Sequence, residues 1–268
     1  MAYWDGKVAL VTGGSAGLGA AIANRLCAER AAVMIASRNT ERVEKTVAEL
    51  EQLGYRAAGA TADVTHEEQV AALVDDTVAK FGGLDLLVNN VGISSRGDAL
   101  ETSAEEFRRL MEVNLLSVVH GSRAAAPHLR QSRGHLVNIG SLASKVVSPF
   151  LGAYPATKFA VAAYTQQLRW ELGPQGVHVL LVCPGPITRS DAGNRYDDQA
   201  EGLPESARQP GGGVKLRGIA PDALAAKILR ACRRRQPELV VPGRARWLFA
   251  ISQLRPALGD WIIQKMRS

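Results

Sequence analysis

The sequence predicts an α/β fold, doubly wound around a parallel sheet. Three observations predict it. Short apolar runs recur along the chain, stretches of helical period separate them, and the first run opens into glycines before a helix. Val8, Ala9, Leu10 and Val11 form the first strand, and the helix after the glycines runs to about Arg30. Residues 32–36 are the second strand, followed by a helix with Val43, Val47 and Leu50 on one face. Residues 55–60 form the third strand. Val70, Leu73, Val74, Val78 and Phe81 then recur at helical spacing. Residues 84–88, 134–139 and 177–183 are further strands, each set off by a long helical segment. Such alternation requires right-handed crossovers, with ligands outside the carboxyl ends of the strands. We see neither an interdomain linker nor an internal repeat.

The composition fits a globular chain of 268 residues, 46% hydrophobic and 22% charged, which excludes disordered, collagenous and disulfide-scaffold classes. The net charge of +6 is unevenly placed: residues 1–216 carry a net −2 and residues 217–268 a net +8. With a slightly acidic body and no binding motif, nucleic acid is not an expected partner. Cys27, Cys183 and Cys232 are widely spaced in apolar surroundings and read as reduced. No basic segment followed by an apolar one opens the sequence, and no stretch approaches the roughly 20 apolar residues of a membrane span. A cytoplasmic location is expected.

The chemistry is read at the strand ends. After the first strand comes Thr12-Gly13-Gly14-Ser15-Ala16-Gly17-Leu18-Gly19. Gly13, Gly17 and Gly19 permit a tight turn, close approach to a pyrophosphate and close packing of helix on strand, while the helix N-terminus offers free N–H groups. The second strand ends Ala36-Ser37-Arg38-Asn39, without the carboxylate that would hold a ribose 2′-hydroxyl. Arg38 suits a 2′-phosphate, so NADP(H) is expected ahead of NAD(H); otherwise Arg38 is a solvated loop cation. Tyr154-Pro155-Ala156-Thr157-Lys158 opens a helix, with Pro155 in its first turn and Tyr154 and Lys158 on one face. A neighbouring ammonium favours a phenolate, which can trade a proton with a substrate oxygen. Ser141, at a strand end, can donate to the same oxygen. The five histidines show no ligand spacing, so no metal site is expected.

These residues carry a resemblance. Over residues 6–242 the chain resembles a short-chain dehydrogenase/reductase, through Thr-Gly-x-x-x-Gly-x-Gly at 12–19, Asp63-Val64 and Asn89-Asn90-Val91-Gly92. Asn114, Ser141, Tyr154-x-x-x-Lys158 and Pro184-Gly185-Pro186-Ile187-Thr188 follow in the family's order. The resemblance implies a Rossmann-type fold with a seven-stranded parallel sheet, a nicotinamide cofactor and a homodimer or homotetramer. It gives Tyr154 the role of general acid/base and Ser141 that of polarising the carbonyl. Lys158 would lower the tyrosine pKa and hold the nicotinamide ribose, and Asn114 would anchor a water in a proton relay. Asp63 and Val64 would border the adenine; Asn90, Gly92, Pro184 and Gly185 would line the cofactor, with Ser15, Leu18 and Ser37 beside its phosphates and ribose. Ile187 and Thr188 would meet the carboxamide.

Val91 stands where the family has alanine, and Pro155 where it commonly has serine. The larger departure is at the end. The domain is expected to close at 241, whereas residues 242–268 continue as an amphipathic helical extension.

The substrate wall is expected from Ile93-Ser94-Ser95, from residues 146–151, and from a mobile lid at about 189–219 whose Asp191, Arg195, Asp197 and Asp198 indicate no substrate charge. Val146, Val147, Phe150 and Leu151 make an apolar wall, consistent with a hydrophobic ketone or secondary alcohol. In the extension Trp247, Leu248, Ile251 and Leu254 share one face, as do Leu258, Trp261, Ile262 and Met266. These stripes pack on the body, pack across a dimer, or lie in a membrane interface. A reductase is thus expected, with two alternatives: a peripheral membrane reductase of lipid-like ketones, or a catalytically silent NADP sensor.

Overall fold

The computed structural model describes residues 2–189, 196, 198–214 and 216–267. Its first half alternates strand and helix: β1 (Val8–Thr12), α1 (Gly17–Ala28), β2 (Ala32–Ser37), α2 (Thr40–Gln52), β3 (Ala57–Thr61), α3 (Glu67–Phe81) and β4 (Leu86–Asn89). Then come α4 (Ala104–Met111), α5 (Ser117–Ser132), β5 (His135–Ile139), α6 (Tyr154–Leu172) and β6 (His178–Pro184). The chain closes with α7 (Pro221–Arg233), β7 (Glu238–Val241), α8 (Ala245–Leu254) and α9 (Pro256–Arg267). The third strand starts two residues later than its apolar pattern implies, because Tyr55 still belongs to the turn that leaves α2.

The seven strands are parallel in the order β3-β2-β1-β4-β5-β6-β7. Strand order reverses between β1 and β4, and a crevice opens at their carboxyl ends. β1, β5 and β6 are buried along their whole length, so they lack the alternation of a half-exposed strand, and β5 and β6 carry the buried polar side chains His135, Asn138 and His178. α1 and α7 cover one face, where Ile22, Leu26, Leu224 and Ile228 meet Val11, Val33 and Val182. α3, α5 and α6 cover the other, with Leu73, Leu129 and Leu168 against Leu10, Leu87 and Leu136. The three thiols are buried, and burial pushes each up to about 12, which leaves them unreactive.

At the opposite end of the strands, two histidines that sequence spacing leaves scattered come together. His135 Nδ1 lies 2.9 Å from His178 Nδ1. The Gln236 carbonyl can only accept, so His178 Nε2, 2.7 Å away, carries hydrogen and its Nδ1 accepts from His135. His135 Nε2 then accepts from the Tyr3 hydroxyl at 2.7 Å. Burial, reinforced by the neighbouring His178, holds His135 down to about 3, so it is neutral. Cys232 Sγ lies near the pair, but every imidazole nitrogen already has a protein partner.

Candidate active site

The ends of β1 and β4 are stitched together by polar groups. Asn90 donates from Nδ2 to the Thr12 and Gly13 carbonyls at 3.0 and 3.3 Å, and its N–H donates to Thr12 Oγ1 at 3.1 Å. Its neighbour Asn89 faces the other way, into a buried ladder with Asn138 and Thr165. Gly13 has φ +64°, and a Cβ at Gly19 would stand 2.1 Å from the Gly13 carbonyl, so both positions require glycine. α1 starts behind Ala16 with no side-chain cap and no acid in its first turn. Among the described residues no side chain caps its first N–H groups, which suit an anion.

Beside this turn Ser15 Oγ donates to Ser37 Oγ at 2.8 Å. Arg38 stands largely in solvent, 3.8 Å from Asp63. Burial raises the Asp63 pKa; hydrogen bonds from Thr65 and the charges of Arg38 and His66 outweigh it and hold the carboxyl below its ordinary value. Ser15, Gly19, Ser37, Arg38, Asp63 and Val64 are not among the residues that line the cleft at the strand ends.

The crevice widens into a cleft of about 830 Å³ that brings together Gly13, Gly17, Leu18, Asn90, Gly92, Ser141, Tyr154, Lys158, Pro184, Gly185, Ile187 and Thr188. Ser141 leaves β5 as the cap of a short 3-10 turn. Its Oγ accepts from the Ala143 N–H at 3.1 Å, which leaves the hydroxyl hydrogen to donate elsewhere. Tyr154 opens α6, and one turn on, Lys158 Nζ lies 6.0 Å from the tyrosine ring centroid. Lys158 is buried and donates to the Ile139 carbonyl at 2.9 Å. Burial lowers its pKa to about 8, with Cys183 acting weakly the other way.

Asn114 reaches the site through a feature with no sequence signal, a π-helical turn at Glu112–Leu116 between α4 and α5. Its Oδ1 accepts from the Ile93 N–H at 2.8 Å, and its Nδ2 donates to the Ile93 carbonyl at 2.9 Å and to Thr157 Oγ1 at 3.0 Å. Thr157 passes the link on, donating to the Tyr154 carbonyl at 2.7 Å. The carboxamide thus spends both N–H bonds on protein, and Thr157, within the Tyr-x-x-x-Lys segment, is a positioning residue that sequence reasoning missed. A Cβ at Gly92 would come within 3.1 Å of Lys158 Nζ and 3.2 Å of Asn114 Oδ1, so a side chain there would crowd both groups.

The substrate wall departs from expectation at Phe150 and Ser95. Ile93, Ser94, Val146, Val147 and Leu151 line the cleft, but Phe150 does not, and Ser95 is buried with its hydroxyl donating to the Leu151 carbonyl. Phe150 is turned by a backbone φ of +63°. Asp191, Gly193, Arg195 and Asp197, and the Asp198 side chain, lie outside the described residues. The described part of the lid is built of short 3-10 turns, and its ends are tied where Ile187 bridges Ile219. Arg96 runs beneath it, donating to the Ala207, Ser95 and Gln209 carbonyls and stacking 3.6 Å from the Tyr196 ring centroid. An arginine outside any motif gave no sequence signal for this clamp. In the extension, Phe249 and Ile263 are the buried side chains, while Trp247, Leu254 and Trp261 are exposed. Leu248 and Met266 of the expected stripes line the cleft, and Phe249 and Ile263, from outside those stripes, join them there.

A serine, a tyrosine and a buried lysine thus share one cleft at the carboxyl ends of the strands with the glycine turn. The family profile described as short chain dehydrogenase matches residues 7–201, and the chain belongs to the short-chain dehydrogenase/reductase family. An L-fucose dehydrogenase of Mus musculus is 34% identical over 96% of this chain and 94% of its own. A diacetyl reductase of Staphylococcus epidermidis is 32% identical over 75% of this chain and 78% of its own. Among solved structures, a short-chain dehydrogenase/reductase from Burkholderia phymatum in complex with NAD has a TM-score of 0.81 at 27% identity, covering 95% of this chain and 97% of that one.

Proposed function

We propose that the chain transfers hydride between NADP(H) and the carbonyl or secondary alcohol of an apolar substrate. The observation that carries this reading is the convergence of Ser141, Tyr154 and Lys158 on the cleft that begins at the Gly13 turn. The site fits a dinucleotide: Gly13 and Gly17 have φ of +64° and +52°, and the uncapped start of α1 faces the space a pyrophosphate needs. Ser15, Gly17, Leu18 and Gly19 would hold the phosphates, Asp63 and Val64 the adenine, Asn90, Gly92, Pro184 and Gly185 the nicotinamide half, and Ile187 and Thr188 its carboxamide. When bound, the nicotinamide supplies the hydride or takes it up. In the reducing direction the Ser141 hydroxyl donates to the substrate oxygen and Tyr154 Oη gives that oxygen its proton. Lys158 stabilises the phenolate left behind and holds the ribose hydroxyls. Asn114, through Thr157, holds the first turn of α6 in register. A silent sensor would need none of these groups.

Arg38 is read as the 2′-phosphate contact. Its exposed pair with Asp63 is worth little, so a phosphate dianion displaces it readily. Arg38→Ala should weaken NADPH about 10- to 100-fold and NADH less than about threefold, measured as Kd by fluorescence titration. Equal losses would remove the NADP preference. The function itself is tested by a carbonyl and alcohol panel run with both cofactors, including L-fucose and diacetyl beside apolar ketones.

The chain is read as a cytoplasmic homodimer or homotetramer, with Phe159 and Trp170 exposed on α6 available for subunit contact. Among the described residues, no helix is long and apolar enough to cross a membrane. A second reading rests on exposed Trp247, Leu254 and Trp261 standing among Arg246, Arg255 and Lys265, a face suited to an anionic bilayer surface. Flotation with anionic liposomes should then be lost in a Trp247→Ser/Trp261→Ser variant; absence of flotation in the parent chain removes the reading.

A further inference from the structure

We infer that the C-terminal hairpin of α8 and α9 builds an apolar subsite for the part of the substrate remote from the reacting carbon. This rests on the proposed hydride-transfer reading and names the substrate class: carbonyl compounds with an aliphatic or flat hydrocarbon body, not polyhydroxylated ones.

The hairpin is a packed unit. A Cβ on Gly259 would fall 2.7 Å from Ser252 Cα, so α9 crosses α8 at a distance only glycine allows. Phe249 anchors the unit on the body, packing with Val118, Val161, Leu181, Cys183 and Val240. Arg246 ties α8 to the last strand by donating to the Glu238 carbonyl at 3.0 Å. Held this way, the hairpin turns Leu248 and Phe249 of α8 and Ile263 and Met266 of α9 onto the cleft that also holds Ser141 and Tyr154, with Val146 and Val147 among its other lining residues.

Three polar side chains on the same cleft, Ser94, Arg96 and Tyr196, have protein partners. The Ser94 and Tyr196 hydroxyls bond each other at 2.8 Å. Arg96 spends Nε, Nη1 and Nη2 on the Ala207, Ser95 and Gln209 carbonyls, with Tyr196 stacked on its guanidinium. A sugar could use Ser94, Arg96 and Tyr196 only by breaking these bonds, whereas a hydrocarbon leaves them intact.

The test is a series of methyl ketones from butanone to undecanone, assayed on the full chain. Leu248→Ala should raise KM for undecanone about tenfold and leave butanone within about twofold, because it removes apolar contact only from the long chain. Met266→Trp fills the subsite instead, and should also lose undecanone while keeping butanone; it decides the matter if Leu248→Ala fails to fold, as judged by circular dichroism. Equal changes along the series, or none, overturn the subsite. Should the parent chain reduce no ketone at all, calorimetric binding of undecanone separates the two claims. Binding that weakens in both variants sustains the subsite although the reaction fails, and no binding overturns it.

Discussion

Tyr154→Phe is expected to lower kcat by about 10²- to 10⁴-fold, the range that general acid/base groups contribute, while NADPH Kd stays within about twofold. The ring keeps its place at the start of α6 because Pro155, Thr157 and the Ala153 turn hold the backbone there. What disappears is the hydroxyl proposed to give the substrate oxygen its proton; the Ser141 hydroxyl remains as a hydrogen-bond donor. The loss should therefore fall on kcat and not on KM, the pattern of an interaction made in the transition state. Stopped-flow reduction of a responsive ketone and a separate cofactor titration read the two quantities. Retained turnover would place the proton donor elsewhere.

Lys158→Met should differ in two ways. Turnover falls about 10²-fold, as when a preorganised charge is removed from a reacting oxyanion, and cofactor binding weakens as well. Stability without cofactor moves the other way. The folded protein holds the Lys158 proton only up to about pH 8, against 10.5 for the free side chain, because burial disfavours the ammonium. Between those values the unfolded chain's lysine holds a proton that the folded one has lost, so the contribution of Lys158 to stability rises as pH climbs from about 8 to about 10.5, while above pH 9 the three buried thiols act in the opposite sense. Below pH 8 the full cost of the buried charge is present, about 3 kcal/mol. Methionine removes that cost and its pH dependence together. Losing the hydrogen bond to the Ile139 carbonyl gives back about 1 kcal/mol. The variant should thus unfold about 2 kcal/mol later than the parent at pH 7 and match it more closely at pH 10. Urea unfolding at both pH values checks this; a variant less stable at pH 7 would show that the lysine's bond outweighs its desolvation.

The fold and the placement of Tyr154 and Lys158 on one helix face were legible in the sequence because they depend on local rules. Buried parallel strands read as apolar runs, glycines mark the turn that no Cβ can enter, and a spacing of four places Tyr154 and Lys158 on one helix face. What stayed hidden depends on contacts distant in sequence. Asn114 is aimed by a π-helical turn that no propensity announces. Arg96 becomes a clamp only once residues 207–209 fold over it, and His135 meets His178 only because their strands are neighbours. The extension shows the limit of periodicity most clearly: the apolar spacing predicted two helices, but several side chains choose their faces by the cleft, so Phe249 and Ile263 go in while Trp247 and Trp261 stay out.

The central claim is tested most directly by following hydride itself. NADPH deuterated at the transferable position of nicotinamide C4 is incubated with an apolar methyl ketone, and the alcohol is analysed by mass spectrometry and chiral chromatography. The account predicts deuterium on the carbinol carbon of a single enantiomer, with transfer abolished in Tyr154→Phe. Tight NADPH binding with no deuterium delivered to any carbonyl of a broad panel would contradict it.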